Sequence, residues 1–232
     1  MSEMVVLSGW GIKPDLLKPV FGNSACYCDL NKLMPLLFEE NRLRNDWIGI
    51  AASRINDITP DGKITITGWS TGAIIAWAVA PLLSPDKICL LSAAPSFCRT
   101  PQFKHGMRVS VIDGMIDALQ TDPQKTLLRF HKRCGIQPDS SVLSHYSSDE
   151  LLCGLRFLRE VNLYPVRPLT TITPPLFLHG KDDLIISPQA AALFSKEAHG
   201  IFYELPGPHA FFTQNSTETT DLLGQNGFYY NT

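Results

Sequence analysis

Several features that would point to particular protein classes are missing from this sequence. Its 20 Lys and Arg are balanced by 22 Asp and Glu, so the net charge is -2 and the global basic excess typical of a nucleic-acid-binding protein is absent. No internal repeat or low-complexity segment occurs. The N-terminus has no positively charged leader and no long apolar stretch, which predicts a cytoplasmic protein without a membrane partner.

The cysteines also lack the arrangement of a metal site. No Cys-x-x-Cys spacing and no matching histidine cluster accompanies the six cysteines, which are Cys26, Cys28, Cys89, Cys98, Cys134 and Cys153. We therefore expect reduced, mostly buried thiols, and we predict neither a metal nor a cofactor.

Short apolar runs predict the strands of a sheet. They cover residues 5–7, 64–67, 88–91, 176–178 and 201–205, with a weaker candidate at 25–28. Helical stretches at 43–55 and 73–80 separate the early strands. This alternation predicts an α/β fold in which a mostly parallel sheet of about six strands carries helices on both faces.

Between about residues 97 and 166 strand signals disappear and amphipathic helices replace them. The best helix opens at Asp122, a natural N-cap, with Pro123 in its first turn, and closes before Gly135. Another begins at Ser147, which has capping-box spacing to Glu150. We therefore predict a core over residues 1–97 and 167–232, interrupted by a helical cap over 98–166.

A candidate nucleophile lies in the pentapeptide Gly68-Trp69-Ser70-Thr71-Gly72. A lone G-x-S-x-G is a weak signal, but this one follows the turn Pro60-Asp61-Gly62 and a strand, and it opens a helix. This strand-turn-helix context is that of a nucleophile elbow, which would expose the Ser70 hydroxyl and leave the Thr71 N–H free to bind an oxyanion. The alternative is an ordinary glycine-flanked turn.

A second oxyanion donor is expected from the loop after the first strand. That strand ends in Ser8-Gly9-Trp10-Gly11, so the Trp10 N–H is the candidate. A glycine-rich turn with a packed tryptophan would have the same sequence.

A serine nucleophile needs an imidazole base, and the imidazole needs a carboxylate to orient it. In this architecture the acid and then the histidine follow the serine along the chain. Asp182 and Asp183 follow the predicted strand at 176–178, and spacing does not separate them; one would be a solvated loop carboxylate. Of the six histidines, His209 alone follows the last strand on its carboxyl side, where Ser70 should lie.

These residues resemble a known family. Leu7-Ser8-Gly9-Trp10-Gly11, Gly68-Trp69-Ser70, Gln124 to Phe130, Gly154 to Leu158 and Gly180-x-x-Asp183-x-x-Ile186 are similar to the pimeloyl-[acyl-carrier protein] methyl ester esterases of biotin synthesis, within the α/β-hydrolase superfamily. The chain departs from the family at Ser8, where a His is usual, at Ala73 and at Ser187, and it starts at what is normally the third strand. Residues 214–220 lack the usual pattern of a terminal helix.

The resemblance implies a carboxylesterase in which Ser70 is the nucleophile, Asp183 rather than Asp182 the acid, and His209 the base. It implies Trp10 and Thr71 as oxyanion donors, and a carrier-bound methyl ester as substrate. Family members hold an acidic carrier protein with basic cap residues, which Lys125 and Arg129 match.

The residues of that segment agree with a basic face. Four cations recur at helical spacing, Lys125, Arg129, Lys132 and Arg133, while Leu127, Phe130 and Cys134 form the other face. The basic face is either a docking surface or simply solvated.

Other functions remain open from the sequence. The same catalytic groups would serve a thioesterase, a general carboxylesterase or a hydrolase of carbon-carbon bonds, and a non-catalytic interaction protein could share the fold. We expect a monomer that binds no nucleic acid.

Overall fold

A six-stranded parallel sheet organises the chain in a computed structural model that describes residues 3–59, 63–169 and 173–228. The strands are β1 (Glu3–Leu7), β2 (Cys26–Cys28), β3 (Phe38–Glu39), β4 (Arg42–Leu43), β5 (Ile64–Trp69), β6 (Lys87–Leu91), β7 (Leu176–Gly180) and β8 (Ile201–Leu205). The sheet order is β2-β1-β5-β6-β7-β8, and β3 with β4 forms a separate antiparallel hairpin. All six strands predicted from the sequence are confirmed.

Ten α-helices connect or flank the strands in the described ranges. They are α1 (Lys18–Phe21), α2 (Leu30–Leu33), α3 (Trp47–Asn56), α4 (Thr71–Leu83), α5 (Val109–Thr121), α6 (Pro123–Cys134), α7 (Val142–His145), α8 (Ser148–Glu160), α9 (Pro188–Glu197) and α10 (Ser216–Gln225). Short 3-10 turns occupy Pro14–Leu17, Met34–Leu37 and Phe211–Thr213.

Side chains that alternate along the strands bury both faces of the sheet. Val5 and Leu7 join one hydrophobic core together with residues of α3, α4 and α9, whereas Val6 joins a second core together with residues of α1 and α10. Because successive side chains of a strand point to opposite faces, a strand covered on both sides must be apolar throughout. All six residues of β5 are buried, and its only polar side chains are the small hydroxyls of Thr65 and Thr67.

One expectation about a helix is wrong, and one weak pattern nevertheless forms a helix. The helix predicted at 43–55 begins only at Trp47, because Leu43 pairs with Phe38 in the hairpin and the Arg44 N–H bonds to the Leu37 carbonyl. The polar run at 214–220 does enter a terminal helix, α10. Only two residues of α10, Thr219 and Leu223, are buried. The helix therefore shows little of the apolar periodicity by which a helix is recognised in a sequence.

The segment between β6 and β7 contains α5 to α8. The predicted caps are confirmed: the Asp122 side chain accepts a hydrogen bond from the Lys125 N–H at 3.0 Å, and Ser147 with Glu150 forms a capping box at the start of α8. The division into a core at 1–97 and 167–232 and a cap at 98–166 stays a prediction. The predicted turn at Pro60-Asp61-Gly62 lies outside the described residues.

All six cysteines are free thiols, four of them buried.

Among the helices of the described ranges, none has the length and apolar character needed to cross a bilayer.

Candidate active site

Ser70 occupies the tight connection between β5 and α4. Its backbone has φ 57° and ψ -116°, a conformation that L-residues seldom adopt and that costs on the order of 1–3 kcal/mol. Ladder hydrogen bonds hold β5 between β1 and β6, and the Ser70 N–H bonds to the Leu91 carbonyl at 2.9 Å. The strain is therefore imposed by the centre of the sheet, as in a nucleophile elbow.

The flanking glycines are required by close backbone contacts. A Cβ on Gly68 would lie 2.2 Å from the Gly72 carbonyl oxygen, and a Cβ on Gly72 would lie 2.4 Å from the Leu7 carbonyl oxygen. Neither neighbour is a flexible side chain that could move aside. These contacts also bring the end of β1 against the first turn of α4.

His209 and Asp183 form a buried pair in the loops that follow β8 and β7. His209 Nδ1 lies 2.7 Å from Asp183 Oδ2, and both side chains are fully buried. Because an ionised carboxylate only accepts hydrogen bonds, Nδ1 carries the hydrogen and Nε2 is the unprotonated nitrogen of the neutral ring. Among the described residues Nε2 is buried without a hydrogen-bond partner.

Several donors stabilise the ionised form of Asp183. Its other oxygen, Oδ1, accepts from the N–H groups of Ile185 and Ile186 at 2.7 and 2.9 Å, and the ring of His179 approaches Oδ2 at 3.4 Å. Burial alone would raise the pKa of Asp183, but His209, His179 and the Ile186 N–H together hold that pKa below its ordinary value. Asp182 is exposed, and its carboxylate accepts from the Gly207 N–H at 3.3 Å.

Two side chains fix the backbone of His209. Its carbonyl oxygen accepts from the Ser92 hydroxyl at 2.7 Å and from Trp69 Nε1 at 3.1 Å, and the rings of Trp69 and His209 lie 5.3 Å apart. Trp69 thus links the residue beside Ser70 directly to His209. Sequence reasoning missed Ser92, whose one signal is its position directly after β6.

The loop after β1 lies against Ser70. A Cβ on Gly9 would be 3.5 Å from the Ser70 Cβ, so the two backbones are close neighbours. The next residue, Trp10, is buried, and its Nε1 donates to the Leu151 carbonyl at 2.8 Å. Helix α8 passes so close to this indole that a Cβ on Gly154 would lie 2.4 Å from Trp10 Cδ1. The Trp10 indole therefore packs against α8, while the preceding residue, Gly9, lies beside Ser70.

Asn31 and His131 hold this loop, and sequence reasoning did not identify either role. The fully buried Asn31 amide donates to the carbonyls of Gly9 and Ile12, both at 3.3 Å, and accepts from the Gly11 N–H at 2.8 Å. His131, on α6, donates from Nε2 to the Gly11 carbonyl at 2.9 Å. All these partners are backbone atoms, which leave no pattern in a sequence.

His131 is held neutral. Its Nδ1 accepts from the Asp139 N–H at 3.2 Å, which requires an unprotonated nitrogen. Burial lowers the pKa of His131, although the Gly11 carbonyl and the charge of Asp139 partly oppose that shift.

A cavity of about 280 Å³ opens beside Ser70, near the lower limit of ligand pockets, which span roughly 300–1,000 Å³. Trp10 and Thr71 line it together with Ser70. Its other walls are largely apolar and include Phe97, Met107, Ile112, Phe130, Leu158 and Ile185. Such a cavity fits an apolar chain whose polar end lies at Ser70.

The predicted basic face of α6 is exposed. Lys125, Arg129, Lys132 and Arg133 all face solvent, whereas Leu127 and Cys134 are buried and Phe130 is half-buried. Arg129 and Arg133 also line the cavity. Within residues 3–59, 63–169 and 173–228, none of these four cations forms an ion pair. In the described residues no group of three or more His, Cys, Asp or Glu side chains is arranged so that it could hold a metal ion.

Solved structures share this architecture. An esterase (EaEST) from Exiguobacterium antarcticum superposes with a TM-score of 0.79 over 97% of this chain and 91% of its own, at 18% sequence identity. The parallel sheet, the elbow and this superposition define the chain as an α/β-hydrolase in fold. No protein-family model matches it.

Two proteins of known family are similar to this chain in sequence. The chain is 30% identical over 164 residues to the AB hydrolase superfamily protein YisY of Bacillus subtilis, covering 60% of each protein. It is 29% identical over 172 residues to the pimeloyl-[acyl-carrier protein] methyl ester esterase of Stenotrophomonas maltophilia, covering 67% of this chain and 66% of that enzyme. The matches thus span less than two thirds of the length of these relatives.

Proposed function

We propose that the protein is a serine carboxylesterase in which Ser70 is the nucleophile, His209 the base and Asp183 the acid that orients it. The observation that carries this proposal is the buried His209–Asp183 pair, whose Nε2 is unpartnered among the described residues, together with a serine in a strained elbow. The link from Trp69 to the His209 carbonyl supports the same arrangement. Catalytic hydrogen bonds often tighten only when substrate binds.

The reaction follows from these roles. His209 Nε2 takes the Ser70 proton as Oγ attacks the ester carbonyl, and the resulting oxyanion is stabilised by the N–H groups of Trp10 and Thr71. His209 then gives that proton to the alkoxy oxygen, and the alcohol leaves. Water attacks the acyl-enzyme with His209 again as base, which releases the acid and restores Ser70. Asp183 stays ionised and stabilises the protonated ring.

The substrate we infer is the methyl ester of a pimeloyl chain on an acyl-carrier protein, hydrolysed in the cytoplasm as a step of biotin synthesis. The similarity to the Stenotrophomonas maltophilia esterase supports this choice. The apolar cavity suits an acyl chain. The exposed cations Lys125, Arg129, Lys132 and Arg133, which lack ion-pair partners among the described residues, suit an acidic carrier.

The test compares a carrier-bound ester with a small one. Lys125→Glu/Lys132→Glu, which alters two exposed cations that do not line the cavity, should raise the KM for methyl pimeloyl carrier protein by about tenfold or more, while hydrolysis of p-nitrophenyl acetate stays close to wild type. The matched control reverses two cations away from α6, Arg54 and Lys196. Equal effects on both substrates, or on both double variants, would show that α6 is not the docking surface.

Product analysis separates the proposed ester bond from its alternatives. Methanol should be released while the carrier thioester stays intact. Release of the carrier thiol instead would identify a thioesterase.

Restored growth without biotin in a strain that lacks the pathway's esterase, and no growth with Ser70→Ala, would support the physiological role. Growth with neither would contradict it.

A further inference from the structure

One face of α5 forms a wall of the cavity beside Ser70. Val111, Gly114, Met115 and Ala118 line that cavity. Their spacing of three, four and seven residues places them on a single stripe of the helix. A side chain at position 114 would therefore project from the same stripe, between those of Val111 and Ala118.

Gly114 is the smallest residue of this stripe, and the helix itself does not need a glycine there. Its φ is not positive, and a Cβ at this position would meet no atom within 4 Å. By contrast, a Cβ on Gly154 would lie 2.4 Å from Trp10. Because glycine is unfavourable inside a helix, an alanine at 114 would stabilise α5. Gly114 lines the cavity and is exposed to solvent, so what the glycine provides in this structure is open space where the cavity meets solvent.

We propose that Gly114 determines the length of the acyl chain that the cavity accepts. The proposal rests on the proposed function: the leaving alcohol is methanol, so the larger, apolar part of the substrate is the acyl chain. That chain would extend from Ser70 along the α5 stripe and use the space beside Gly114. A side chain added there would narrow the space along α5 and would leave Ser70, Asp183 and His209 themselves unaltered.

The experiment measures kcat/KM for methyl acetate, butyrate, hexanoate and octanoate in the full-length protein. Gly114→Leu should lower kcat/KM for the octanoate by about 10- to 100-fold and lower kcat/KM for the acetate by much less, because hydrophobic pockets discriminate chain length by such factors. Gly114→Ala, which adds a single methyl group, should shift the preference in the same direction by less. It should also raise Tm by about 2–4 °C.

Gly49 supplies the matched control. It lies inside α3, a Cβ there would also meet nothing within 4 Å, and it does not line the cavity. Gly49→Ala and Gly49→Leu should therefore leave the chain-length profile as in the wild type. A general effect of altering a helical glycine would change both profiles alike and would contradict the proposal.

The two proposals fail in different ways. If the wild type and a folded Gly114→Leu hydrolyse octanoate equally well, Gly114 does not set chain length although the esterase assignment stands. If the wild type hydrolyses no ester in a Ser70-dependent manner, the proposed function is wrong and the role of Gly114 is rejected with it. The Tm of Gly114→Leu, measured beside that of the wild type, shows whether the variant used remains folded.

Discussion

His209 donates from Nδ1 to Asp183 Oδ2 across 2.7 Å, and neither side chain is exposed to solvent. Asp183 accepts two further backbone hydrogen bonds, so its orientation is fixed before any substrate binds. The neighbouring Asp182 faces solvent. Two adjacent carboxylates thus have very different surroundings.

The first prediction uses this difference. Asp183→Asn should lower kcat for p-nitrophenyl acetate by about 10³- to 10⁴-fold, because an amide no longer holds His209 in the tautomer with a free Nε2. Asp182→Asn is the matched control and should keep nearly wild-type kcat. Similar losses of kcat in both variants, or a larger loss in Asp182→Asn, would show that Asp183 is not the catalytic acid.

A second prediction concerns the loop that carries Trp10. Asn31→Asp keeps the shape of the side chain but removes the donors to the Gly9 and Ile12 carbonyls. It should reduce the free energy of unfolding by about 1–3 kcal/mol and lower kcat by about tenfold or more, with little change in KM.

Asn226→Asp is the control for that loss. It removes one amide donor, to the Leu222 carbonyl, at the end of α10 and away from the loop. If Asn31→Asp destabilises the protein but leaves kcat at the wild-type value, the loop does not depend on Asn31 for its catalytic geometry.

The third prediction is a pH dependence of stability. The folded-state pKa of His131 lies below its unfolded value of about 6.5, so the unfolded chain binds more protons and stability falls as the pH drops below about 6.5. Urea unfolding should give a smaller decrease between pH 7 and pH 5 for His131→Gln than for the wild type. Burial lowers the pKa of His179 as well, so part of the decrease should persist.

His105→Gln is the control because its ring is exposed. It should retain the wild-type decrease between pH 7 and pH 5. An unchanged decrease in His131→Gln would mean that His131 does not take up a proton in this range on unfolding.

Local signals in the sequence predicted much of this fold. All six sheet strands follow from short apolar runs, and the caps of α6 and α8 follow from Asp122 and Ser147, because each of these features depends on residues close along the chain. The start of α3 was misplaced, since the hairpin that displaces it is stabilised by pairing with Phe38.

The candidate site, too, could be predicted only in part from the sequence. Chain order located Ser70, His209 and the two aspartates, while spacing could not choose between the aspartates. Asn31 and Ser92 bond to backbone carbonyls far away along the chain, and no spacing of residue types reveals such contacts. The space beside Gly114 likewise exists only once α5 is packed over Ser70.

The most direct measurement of the central claim is the reaction of the protein with a fluorophosphonate, followed by mass spectrometry of the labelled peptide. We predict a single phosphonyl adduct on Ser70, loss of esterase activity in step with labelling, and no adduct in Ser70→Ala. An active esterase that is not labelled at Ser70, or a Ser70→Ala variant that keeps its activity, would contradict this account.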